Sequence, residues 1–161
     1  VPIKGSKSKS GITVKGIHDL AVRFSKCCSP VPGDEIVGFV TRGRGITIHR
    51  TDCINVLNLP EIERSRLIDA EWQGVEEDNS AATYSTEISI FANYRIGMFV
   101  DISKIFTERE IDIKTMNSRV NKQGKATITM SFDIHGIEEL NNLMAKLRQI
   151  DGVLDIERTT G

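Results

Sequence analysis

Residues 125–135, KATITMSFDIH, alternate without a break. Ala126, Ile128, Met130, Phe132 and Ile134 fall on one side, Thr127, Thr129, Ser131 and Asp133 on the other. That period belongs to a strand with one buried and one open face, so an apolar layer must lie nearby to cover it. Met98, Phe99, Ile102, Ile105 and Phe106 recur at helical spacing over Gly97–Arg109, and Ile137, Leu140, Leu143, Met144 and Leu147 stripe a second helix. Further strands are expected over Glu87–Tyr94 (Ile88, Ile90 and Ala92 on one face), Ile111–Val120 and Gly152–Glu157, with Gln123-Gly124 as a hairpin turn. The order βαββαβ predicts a ferredoxin-like unit, both helices on one face of an antiparallel sheet, and the fold class is α+β.

The upstream half turns on residues 23–53, RFSKCCSPVPGDEIVGFVTRGRGITIHRTDC, which hold all three cysteines. Cys27, Cys28, His49 and Cys53 would make a Cys3His zinc site, and His49-x-x-x-Cys53 has ligand-like spacing. Against this, zinc ligands are usually spaced by about two to four residues, and adjacent side chains diverge. The alternative is small buried thiols without an ion. A thiol-redox role lacks the Cys-x-x-Cys pair, and an odd cysteine count points to a reducing compartment.

Charge adds a third possibility. Residues 1–60 carry nine Lys or Arg against four Asp or Glu, whereas residues 61–85 carry two against seven. Arg42 and Arg44, in Thr-Arg-Gly-Arg-Gly between strands over 35–41 and 45–49, could present two guanidiniums to phosphate. The competing reading is a solvated polar turn.

The upstream half reads as a small α/β module, whose remaining elements are a lead-in over 1–10, a strand over Gly11–Gly16 and a short helix or turn over Ile17–Phe24. A helix over Cys53–Leu59 capped by Asp52 follows, then an edge strand over Leu67–Trp72. Residues 74–83 read as a linker between a module over 11–73 and one over 84–161. No apolar run approaches the roughly 20 residues that span a bilayer, and the protein is expected in the cytoplasm. The lead-in reads as the tail of a linker from a longer chain.

The patterns CC-x-P-x-x-GD-x-I-x-G and TRGRG-x-x-x-HR-x-DC, within residues 11–73, resemble the Cys/His module of long RelA/SpoT-type (p)ppGpp synthetase/hydrolases. That module is also called a zinc-finger or ribosome-intersubunit domain. The resemblance implies contact with ribosomal RNA, for which Arg42, Arg44, His49 and Arg50 are the candidates, and its name implies a metal. The βαββαβ order, with Arg95-Ile96-Gly97-Met98-Phe99 at the first strand–helix junction, resembles an ACT domain, although Tyr94 stands where an acid is common. The two follow one another in that order at the C-terminus of the same enzymes.

The ACT resemblance implies amino-acid sensing, with a branched-chain effector such as valine, and a homodimer paired edge to edge. Backbone N–H groups of Gly97 to Phe99 would take a carboxylate. Asn93 and Asn117, on facing strands, would accept from the ammonium group, with Ile96 and Met98 walling an apolar pocket; the competing reading is a helix start with no ligand and Asn117 on the exposed face. No catalytic motif is present: His18, His49 and His135 lie in unrelated settings, and there is no P-loop or Gly-x-Ser-x-Gly. The expected protein is therefore a regulatory region without catalysis or required cofactor, acting on upstream synthetase and hydrolase domains of the same protein. The rival is a stand-alone metabolite-sensing dimer with a structural zinc mini-domain.

Overall fold

The computed structural model describes residues 12–14, 21–43, 45–72 and 82–159. The lead-in, residues 17–20 of the expected short helix, most of the linker, and Arg44 lie outside them. The chain divides into two units between Ala81 and Ala82.

The first unit is a sheet that covers itself. Its strands are β1 (Ile12–Val14), β2 (Val22–Phe24), β3 (Ile36–Thr41), β4 (Gly45–Arg50) and β5 (Leu67–Trp72), in the spatial order β1-β5-β3-β4-β2. β3 and β4 form an antiparallel hairpin running from Ile36↔Arg50 to Thr41↔Gly45, and β2 adds in parallel along β4. The only helical cover described is α1 (Ile54–Leu57) and a 3₁₀ helix over Glu61–Arg66. The sheet therefore curls, as right-handed strand twist allows, until Phe24 on β2 stacks on Trp72 of β5 at 5.6 Å. Inside the curl sit buried Ile12, Ile46 and Ile48, with Val22, Ile36, Val40 and Ile68 packed around them.

Three expectations fail here. Val22–Phe24 is a strand because its main chain pairs with β4, a long-range contact that local sequence does not announce. β5 is not an edge strand, since β1 pairs along its outer side. Asp52 does not cap α1; Cys53 takes the cap position without a side-chain bond, and Asp52 binds Arg50 instead.

The second unit follows the expected order: β6 (Tyr84–Asn93), α2 (Met98–Glu108), β7 (Ile113–Val120), β8 (Lys125–Ile134), α3 (Ile137–Arg148) and β9 (Val153–Arg158). The sheet runs β7-β8-β6-β9, antiparallel throughout. β8 lies inside the sheet because β6 and β7 pair on its two sides, and its strict alternation marks one covered face: its even-numbered residues from Ala126 to Ile134 are all buried, and Phe132 meets Phe106 of α2 edge-on at 5.0 Å. β7 differs, being exposed along nearly its whole length.

Two glycines of the β3–β4 turn separate local strain from packing. Both have positive φ, but a Cβ on Gly43 meets nothing within 4 Å, while one on Gly45 would lie 2.2 Å from the Ala21 carbonyl oxygen. That carbonyl accepts the Ile46 N–H at 2.8 Å and starts the β2–β4 pairing. Gly43→Ala should therefore cost only the left-handed strain of about 1–2 kcal/mol. Gly45→Ala must also displace β2, adding roughly 1–3 kcal/mol. Urea unfolding of the two variants checks this: equal midpoints would show that β2 does not depend on the close approach.

Candidate metal centre and ligand surfaces

Four side chains from three segments meet at the base of the β3–β4 hairpin. Cys27 and Cys28 lie in a tight turn closed by the Ser29 N–H to the Ser25 carbonyl at 3.0 Å, and the Ser25 N–H donates to Ile48 of β4. In a helix-like turn, neighbouring side chains diverge by about 100° rather than alternating across a strand, so two adjacent cysteines can flank one point. His49 comes from the face of β4 opposite Ile46 and Ile48, and Cys53 from the residue that starts α1. Cys27 Sγ lies 3.3 Å from Cys53 Sγ and 3.5 Å from His49 Nδ1, and Cys28 Sγ lies 3.9 Å from that nitrogen. All four ligand atoms fall within 4.8 Å of one another.

The donor set fits a single thiophilic ion. With Zn–S near 2.3 Å, tetrahedral ligands stand about 3.7 Å apart, inside the observed range. Burial supports the same chemistry: Cys28 and Cys53 are 1% and 0% exposed. Burial pushes the Cys28 thiol up to about 12 and raises Cys53 as well. Burial also lowers His49, favouring the neutral imidazole that ligates metals. Burial opposes ionisation of Cys27, yet hydrogen bonds from Ser25 and Asn55 hold it below its ordinary value. Without an ion, two thiols would stay protonated; an ion would hold the set as thiolates and imidazole. The Arg50 N–H donating to Cys28 Sγ at 3.3 Å is the kind of outer contact that orients such ligands. Ser25 was not foreseen, although its position two residues before Cys27 is a local hydrogen-bonding spacing that could have revealed it.

The four residues expected at RNA separate. Arg42 is exposed at the hairpin tip, and Arg44 lies outside the described residues. His49 faces the thiols. Arg50 is corrected outright: it is 4% exposed, its guanidinium paired with Asp52 at 2.8 and 3.0 Å and donating to the Cys28 carbonyl at 3.1 Å. Burial would depress it, but Asp52 and Asp34 hold it above its ordinary value. It is a structural cation. Another arginine, Arg66, stacks 5.1 Å over Phe39 on the sheet face that carries His49.

The residues expected around an amino acid do not converge in one copy. Met98 is fully buried, while Ile96 is 91% exposed, so they wall no common pocket. The Met98 N–H already bonds the Arg95 carbonyl at 3.3 Å, and Phe99 packs against Tyr94 at 5.8 Å. Gly97 starts α2 in the left-handed conformation, φ +86. The Asn93 oxygen accepts from Lys125. Asn117 and Asn93 are not on facing strands, because β8 lies between β7 and β6, a gap of roughly 10 Å. Asn117 lines a cavity of about 190 Å³ with Ser118, Arg119, Thr127 and Thr129, a predominantly polar lining. Arg95 is a clasp: it pairs with Asp101 at 2.7 Å and donates to the Asp151 carbonyl at 2.8 Å, tying the head of α2 to the α3–β9 turn.

Known proteins sharpen this picture. Residues 12–73 match the RelA/SpoT RIS domain and residues 80–158 an ACT domain. The chain is 36% identical over 161 residues to the GTP pyrophosphokinase of Escherichia coli K12, covering 99% of this chain and 21% of that protein. It is 31% identical over 150 residues to the GTP pyrophosphokinase of Streptomyces coelicolor, covering 93% and 17%. A crystal structure of the ACT domain from the Chlorobium tepidum GTP pyrophosphokinase aligns at 26% identity and TM-score 0.43, over 48% of this chain and 99% of that one. The chain thus spans about a fifth of the length of the curated relatives it matches. No helix among the described residues is long and apolar enough to cross a membrane. With a RIS domain followed by an ACT domain, neither of them catalytic, the chain belongs to the RelA/SpoT family and corresponds to the C-terminal part of its GTP pyrophosphokinases.

Proposed function

We propose that the chain is the regulatory end of a cytoplasmic (p)ppGpp synthetase/hydrolase of the stringent response. Its RIS domain is a zinc-braced module that docks on ribosomal RNA, its ACT domain pairs with a second copy, and together they bias upstream catalytic domains allosterically. The observation that carries the docking role is the division of labour along one hairpin. Arg42 projects from the tip, while His49 of the Cys/His cluster and the Arg50 ion pair close the base, four and five residue pairs from Thr41↔Gly45 or roughly 13–17 Å away. A rigid base lets an exposed guanidinium meet a phosphate with little ordering cost. The pairing role is supported by β7, an edge strand with Met116 and Val120 39% and 46% exposed on its inner face, where an uncovered edge invites another strand. A branched-chain amino-acid effector stays outside this reading, since its expected residues do not meet in one copy.

Two arginine variants test docking. Arg42→Ala should leave the melting temperature unchanged, weaken co-sedimentation with ribosomes and lower the salt slope by about one. Arg50→Ala leaves the Cys28 carbonyl without its buried donor and should cost about 1–3 kcal/mol, read as a lower melting temperature of the RIS domain. Ribosome binding by Arg42→Ala that matches the wild type across a salt series would remove Arg42 from the interface.

For pairing, Met116→Glu combined with Val120→Glu should convert a dimer to a monomer in light scattering while leaving the circular dichroism of the ACT fold intact. A dimer that survives both substitutions would move the contact away from β7.

A further inference from the structure

We infer that Cys27 and Cys53 form an oxidisable pair, closed into a disulfide by a hydroperoxide, and that closure dismantles the four-ligand cluster. The inference rests on the metal reading above and concerns how that site is regulated. Geometry selects this pair from the three possible. The two sulfurs stand 3.3 Å apart, and a disulfide bond is about 2.05 Å long, so closure asks for a movement of roughly 1.3 Å. Both residues sit on short segments: Cys27 in a turn, and Cys53 at the head of a four-residue helix. Cys28 is held in place. Its sulfur receives the Arg50 N–H at 3.3 Å, its carbonyl receives the Arg50 guanidinium at 3.1 Å, and it is 1% exposed. A bond between the vicinal Cys27 and Cys28 would be strained.

Access agrees. Cys27 is the one half-buried thiol; Cys28 and Cys53 are buried. An oxidant therefore reaches Cys27 first. The Cys27 sulfur attacks the O–O bond of hydrogen peroxide and becomes a sulfenic acid, while the departing oxygen takes a proton and leaves as water. The Cys53 sulfur then displaces the sulfenic hydroxyl, which leaves as a second water, and the S–S bond forms. In sum, the two sulfurs give two electrons to one peroxide; the two protons are their own where they are thiols and come from solvent where an ion would hold them as thiolates, and the products are one disulfide and two waters. Cys28 and His49 are left, two donors where a structural site needs four.

The experiment uses the 161-residue chain, loaded with zinc under reducing conditions and freed of excess. Elemental analysis first establishes the zinc content. Hydrogen peroxide is then added stepwise, with zinc followed by a chromogenic chelator and cysteine linkages by peptide mass mapping. Zinc release in step with a Cys27–Cys53 cross-linked peptide, reversed by a thiol reductant with added zinc, is the expected result. Zinc retained at peroxide doses that oxidise free glutathione would overturn the inference and leave the metal reading standing. Release accompanied by another pairing, or by sulfinic acid on Cys27, would overturn the choice of pair. A loaded chain without stoichiometric zinc would overturn the metal reading, and this inference with it. Cys28→Ser gives an independent arm after zinc removal: Cys27 and Cys53 should still cross-link on oxidation, and failure to do so counts against the pairing.

Discussion

A domain of about sixty residues buries little apolar surface and is marginal on its core alone, and small folds commonly add a staple. The RIS domain shows where such a staple would act. Its innermost residues are Ile12, Ile46 and Ile48 on one face of the curled sheet, while a second small cluster of buried Cys28, Cys53 and Val56, with Val37 and Leu67 packed against it, sits around the hairpin base. The cysteine turn, the end of β4 and the start of α1 are otherwise joined by a handful of backbone bonds. Three thiols and an imidazole bring these segments to one point, where an ion would tie them, and Arg50 braces the same point from behind. The arginine is bound to the Cys28 carbonyl and to Asp52, so the staple and the ion pair share a residue.

β4 distributes these roles by its period of two. Ile46, Ile48 and Arg50 fall on one face and Thr47 and His49 on the other, the former buried and the latter half-buried. A one-residue slip in the β3–β4 register would exchange the faces, placing His49 in the apolar curl and Arg50 among the thiols. The close approach at Gly45 guards against such a slip, because the Ala21 carbonyl admits no side chain there. The hairpin tip is thus restrained by β2 while Arg42 in its turn stays exposed.

The ACT fold was legible in the sequence and much of the RIS fold was not, for one physical reason. In the ACT unit local period and tertiary role agree: β8 alternates because it is covered on one face, and α2 and α3 carry the stripes that cover it. In the RIS unit the deciding contacts are non-local. β2 is three residues long and exists through its pairing with β4, and β5 is interior only because β1 returns to it. The cluster was legible as a set of residue types, yet the adjacency of Cys27 and Cys28 argued against it until the turn was seen. Arg50 misled for the opposite reason: a charged residue beside a histidine suggests surface, and nothing local reveals the Cys28 carbonyl or the partner role of Asp52.

At the β6–α2 junction the motif located a loop but not a cavity. Residues close in sequence, Ile96 through Phe99, diverge because the left-handed Gly97 turns the chain between solvent and core: Ile96 goes outward and Met98 inward. Gly152 completes the packing, since a Cβ there would meet both the Asn93 carbonyl oxygen and the Met98 methyl group at 2.8 Å. Arg95 spans what space remains, joining Asp101 to the Asp151 carbonyl. The junction is therefore a closed joint between the two helix–strand halves of the ACT unit, stiffened by one guanidinium. Side chains committed to internal contacts cannot reorganise around another group without first breaking them, so the Arg95 pairs fix the geometry of this joint in a single copy.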